Sequence, residues 1–125
     1  MNYPSEIEKT VLALAECNRQ SAELRERLAA TEAIVTQDIA AAKTPEGKAQ
    51  FSNESVRAAE LTLRMRADAE AADLKAQIEQ GEAQKQQYLA RLERLRGEFK
   101  IYLTHLTRCV LSDLRIAFKC ICGIS

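Results

Sequence analysis

The one histidine of this 125-residue chain, His105, stands four positions before Cys109, and two more thiols, Cys120 and Cys122, follow. A His/Cys pair at i, i+4 lies on one face of a helix, where imidazole and thiolate could reach the same zinc ion. The set is incomplete: Cys-x-Cys stands where zinc sites usually carry Cys-x-x-Cys, and no ligand pair precedes His105. These cysteines are expected to pack as small hydrophobes or to remain exposed thiols, with no metal and no other cofactor. A different chemistry could act on Cys122-Gly123-Ile124-Ser125, which has the C-a-a-X form with serine at X that directs farnesylation in a eukaryotic cytosol. An ordinary apolar terminus is the competing reading, since only Arg115 and Lys119 add positive charge nearby.

Nucleic-acid binding would need cations beside aromatic platforms. Arg91, Arg94, Arg96 and Lys100 do lie among Tyr88, Phe99 and Tyr102. The wider stretch 84–119 carries eight basic residues against three acidic ones, whereas 54–83 carries four against seven. The whole chain has zero net charge, so no long-range field steers it toward nucleic acid or anionic lipid, although a local patch can exist. All three aromatics fall at the three- and four-residue spacing of a core stripe, which makes a solvated charged helix face the first reading. A nucleic-acid surface at residues 85–100 is the alternative. No glycine-rich phosphate loop, G-x-S-x-G elbow or His-Glu-x-x-His pattern occurs, and the carboxylates fall on solvent faces, so no enzymatic activity is expected.

The elements that must position these residues are helices. The chain is 46% hydrophobic and 29% charged but only 5% aromatic, with four glycines and two prolines, too few for the turns of an all-β fold. One all-α domain over 1–125 is expected. Ser5 and Glu8 have the spacing of a capping box, which predicts a first helix over about 6–42. Along it Ile7, Val11, Leu14, Cys17, Leu24, Leu28, Val35 and Ile39 form an apolar stripe, interrupted by the polar Asn18 and Ser21. Pro45 and Gly47 punctuate a loop over about 43–52.

A second helix is predicted over about 53–112, capped by Ser52, with Phe51 packing on Val56 as a hydrophobic staple. Its seam runs through Val56, Leu63, Ala67, Ala71, Leu74, Ile78, Gly81, Lys85, Tyr88, Leu92, Leu95, Phe99, Tyr102, Leu106 and Cys109 or Val110. An apolar tail follows over 113–125. The stretch Phe51-Ser52-Asn53-Glu54-Ser55-Val56-Arg57-Ala58-Ala59, opening a long charged helix, resembles the second-helix start of small uncharacterised coiled-coil hairpin proteins of bacteria and phages. The resemblance covers about half the chain and implies a cytosolic, non-enzymatic role.

Two long helices joined by a short loop predict an antiparallel coiled-coil hairpin. Folding the chain about its loop brings Ala42 near Asn53 and Ile7 near Tyr88, which leaves everything beyond about Arg91 without a partner. That overhang holds the most apolar part of the seam. Self-association into a homodimer or tetramer through Leu92, Leu95, Phe99, Tyr102, Leu106 and Val110 is the simplest way to cover it. A return helix after a break near Ser112-Asp113, or another coiled-coil protein, would do the same. The expected function is a non-enzymatic scaffold or adaptor. Glu6, Glu8 and Lys9 interrupt any signal-like start, and Arg108, Asp113, Arg115 and Lys119 interrupt any membrane-spanning run, so a cytoplasmic location is expected.

Overall fold

Helix α1 begins three residues earlier than the Ser5–Glu8 pattern predicts. In the computed structural model, which describes residues 1–122, Asn2 is the residue that satisfies the first free amides. Its side-chain oxygen accepts from the Ser5 N–H at 3.2 Å and its carbonyl accepts from the Glu6 N–H at 3.0 Å. Ser5 thus lies inside the helix as a donor to Asn2, and the predicted capping box does not form. Asparagine caps as well as serine does, and Pro4 fits the first turn because it has no N–H to lose. Helix α1 then runs over Tyr3–Ala41.

The connection to the second helix is closed by its own backbone. Gln50 N–H donates to the Ala42 carbonyl at 3.0 Å, Thr44 N–H to Lys48 at 2.7 Å, and Gly47 N–H to Thr44 at 2.9 Å. Gly47 takes φ 82°, the left-handed conformation that glycine adopts without a Cβ clash. Asn53 rather than Ser52 caps the next helix, accepting from Ser55 N–H at 2.8 Å. The predicted staple also gives way: the Arg64 guanidinium lies 5.6 Å from the centre of the Phe51 ring, while Val56 is exposed.

The long second helix is interrupted. Helix α2 spans Glu54–Ala67, Asp68 adopts an extended conformation (φ −77°, ψ 116°), and helix α3 spans Ala69–Cys122. The Asp68 carboxylate accepts from Glu70 N–H at 2.9 Å and Ala71 N–H at 3.2 Å, so it caps α3 from within the chain. Its own N–H still donates to Arg64 and its carbonyl still accepts from Ala72, both at 3.0 Å. The break changes the phase of the buried face. Ahead of it Met65 is buried and Leu61 half-buried, whereas Leu63, predicted for the seam, is exposed. Behind it the predicted seam holds at Ala71 and Leu74, both buried, and at the half-buried Ile78, Gly81, Lys85 and Tyr88.

The helices pack as two units. In one, over residues 15–86, Arg25 pairs with Glu82 at 2.9 Å, and the Cys17 thiol donates to the Gly81 carbonyl at 3.3 Å. Further along α1, Leu28 and Glu32 share a groove with Met65 and Lys75, and Thr36 and Ile39 share one with Glu54 and Leu61, so partners fall progressively earlier in the chain as α1 advances and the helices run in opposite directions. A Cβ built on Gly81 would lie 3.2 Å from Ser21 Oγ, so the two backbones come close here because both residues are small. The other unit combines the first 14 residues with the chain from Gln87 onward. Its core is Leu92, Leu95 and the buried Thr10, whose hydroxyl donates to the Glu6 carbonyl at 2.8 Å. Thr10 takes the position predicted for Val11, which is exposed.

Helix α3 continues past Ser112 and Asp113 to Cys122, so the segment expected as a tail is helical that far and no return helix starts there. Gly123, Ile124 and Ser125, three of the four residues of the C-a-a-X pattern, lie outside the described residues. No helix among the described residues is long and apolar enough to cross a membrane.

Candidate interaction surface

Tyr3 is the residue that decides how much of α3 stays uncovered. Its ring lies 5.7 Å from that of Phe99 and 5.9 Å from that of Tyr102, and Glu6 pairs with Arg91 at 3.1 Å. Leu92 and Leu95 are 7% and 2% exposed, and Phe99 is half-buried. The expectation that the chain lacks a partner beyond Arg91 is corrected on this point. Coverage within one chain extends to Tyr102, about three helical turns further, because α1 starts at Tyr3 and its first ring folds onto α3. Leu92 and Leu95 therefore already have their partners and present no surface to a second chain.

Beyond Tyr102, which the Tyr3 ring leaves half exposed, nothing among the described residues covers the same face of the helix. Tyr102, Leu106 and Val110 are 51%, 48% and 50% exposed, and they extend the three-four line of Leu92, Leu95 and Phe99. A second apolar line runs beside it through Leu103, Leu111, Leu114 and Phe118, all exposed.

The four cations proposed for a nucleic-acid surface do not act together. Arg91 is paired with Glu6, and Arg94 lies 3.9 Å from Glu98. Arg96 and Lys100 turn the other way, onto a shallow groove floored by Phe99 and Leu103, where Arg108 joins them. Arg115 and Lys119 border a second groove floored by Leu111, Leu114 and Phe118. No sequence motif marked this division. The signal was the four-residue spacing from Arg96 to Lys100 and from Arg115 to Lys119, which puts each pair on one flank.

His105, Cys109 and Cys120 all sit on α3. Among the described residues no three His, Cys, Asp or Glu side chains come together in a way that could hold a metal ion. Cys109 and Cys120 are exposed thiols, and Cys17 is buried. On the solvent side of α1, Glu16 and Arg19 shift each other's acidity. A hydrogen-bonded pair with the Arg19 guanidinium, 2.6 Å away, holds the Glu16 carboxyl below the usual carboxylate range, and Glu16 in turn raises Arg19.

No protein-family model matches this chain, and no curated protein or solved structure does either.

Proposed function

We propose that this chain is a non-enzymatic scaffold or adaptor, an antiparallel coiled-coil hairpin that self-associates through the uncovered line of α3. Tyr102, Leu106 and Val110 are its contact residues. The observation that supports this is the exposure of ten large apolar side chains within residues 101–121, ranging from 44% for Leu103 to 83% for Ile121. Fully burying such a side chain is worth about 1.5–3 kcal/mol, and ten side chains about half exposed offer roughly 8–15 kcal/mol, of the size of the ~4–15 kcal/mol lost in free motion on association. A second copy brings the same apolar line, as closed homo-oligomers require.

Light scattering on the reduced full chain over a range of concentrations tests the proposal. A defined oligomer is expected, and Leu106→Glu with Val110→Glu should convert it to monomer while circular dichroism keeps its helical signal. A wild type that is monomeric throughout, or an oligomer indifferent to the double change, refutes it.

A further inference from the structure

The apolar surface of α3 beyond Phe99 is wider than one partner helix can cover. A two-helix seam uses a narrow a/d stripe, here the Tyr102–Leu106–Val110 line. The second line, Leu103, Leu111, Leu114 and Phe118, lies to one side of it and is 44–63% exposed. Along this flank the charge has one sign. Arg96, Lys100 and Arg108 border the first groove and Arg115 and Lys119 the second, with no carboxylate lining either. The two acidic residues of 96–122, Glu98 and Asp113, belong to neither groove. Among the described residues none of the five cations has a carboxylate within ion-pair distance.

An apolar row lying alongside a row of unneutralised cations, on a helix too polar to span a bilayer, is the pattern of a helix that lies in a membrane interface. We propose that this flank docks on an anionic lipid surface. Leu103, Leu111, Leu114 and Phe118 enter the acyl boundary, and Arg96, Lys100, Arg108, Arg115 and Lys119 meet the headgroup phosphates. This goes beyond self-association and uses the neighbouring flank of the helix. The charge selects the occupant: a second copy would bring the same cations to this flank and be repelled, whereas an anionic leaflet attracts each of them.

The test is co-sedimentation of the full chain with vesicles of phosphatidylcholine alone and of phosphatidylcholine mixed equally with phosphatidylserine. Partition into the mixed vesicles should exceed that into the neutral ones and fall as salt is raised. Each basic residue near such a surface contributes about a fivefold effect, so Arg115→Gln with Lys119→Gln should lower partition roughly thirtyfold. Phe118→Ser should lower it about tenfold or more. Both variants should keep the wild-type molar mass, so lipid docking and self-association are read separately. Equal partition into both vesicle types, or no binding to either, overturns the proposal. So does binding that survives Phe118→Ser and is competed by duplex DNA, which would mark a purely electrostatic surface. The salt series on the wild type decides the matter even if a variant fails to fold.

Discussion

Replacing Asp68 by alanine puts the interruption between α2 and α3 to a direct test. The carboxylate accepts two amide hydrogen bonds, from Glu70 and Ala71, that no other group in the chain supplies. Removing an N-cap of this kind costs about 1 kcal/mol. Alanine is the better helix former by several tenths of a kcal/mol, a gain that a continuous helix through residue 68 would set against the loss. Packing forbids that. At about 100° per residue, an unbroken helix would turn Met65 roughly 180° away from Leu74, and both are buried, at 6% and 1% exposure. Exposing either one costs about 1.5–3 kcal/mol, more than the propensity returns. Asp68→Ala should therefore keep the break, gain no helix and lose about 1 kcal/mol in urea unfolding, a drop of roughly 3–6 °C in Tm. Asp68→Asn, which keeps the acceptor without the charge, should stay close to the wild type. Comparisons belong at one protein concentration, because association adds stability by mass action. An alanine variant as stable as the wild type, or with a larger helical signal, refutes this account. An asparagine variant as weak as the alanine one shifts the credit from the hydrogen bonds to the charge.

Two further outcomes can be stated. Gly81→Ala on its own should change stability little, because the gain of about 1 kcal/mol in helix propensity is opposed by the 3.2 Å approach of the new methyl to Ser21 Oγ; in a Ser21→Ala background the same change should stabilise by nearly that full amount, and urea unfolding of the two single variants and the double one measures the coupling. Arg19 lowers the Glu16 pKa in the folded chain, so the pair's favourable contribution is present above the ordinary value of 4.5 and is lost as pH falls through the lowered folded value; Arg19→Gln should move the NMR titration midpoint of the Glu16 carboxyl up toward 4.5, and an unmoved midpoint would refute the assignment.

The helical class, the loop around Pro45 and Gly47, and the seam from Ala71 to Phe99 were legible in the sequence, because each rests on a period or a backbone restriction that acts locally. Both N-caps were misplaced for one reason. At each start a serine and an asparagine lie close together, Asn2 with Ser5 and Ser52 with Asn53, and either can cap; the choice falls on the residue from which the following helix buries its face. The interruption at Asp68 carries no glycine or proline, and aspartate in mid-helix normally faces water. Only the mismatch between the Leu61–Met65 phase and the Ala71–Leu74 phase could have revealed it. The overhang was placed too early because loop-folding arithmetic pairs α-carbons and takes no account of how far a tyrosine ring reaches. The two basic grooves were hidden because Arg91, Arg94, Arg96 and Lys100 are adjacent in sequence but divided around the helix.

The short turn at Gly47 also sets an order of assembly. Contacts across it close first, since Ala42 and Gln50 are eight residues apart, whereas Cys17 and Gly81 are 64 apart and Glu6 and Arg91 are 85. Loop-closure entropy rises with that separation, so zippering from the turn outward replaces each long closure by a short one. On the ribosome this makes α1 wait. It is complete at Ala41, yet Tyr102, the partner of Tyr3, is made roughly 60 residues later, several seconds at ordinary synthesis rates. During that interval the hydroxyls of Thr10, Ser21 and Thr31 dilute an otherwise apolar stripe, making the unpaired helix a poorer target for stray association.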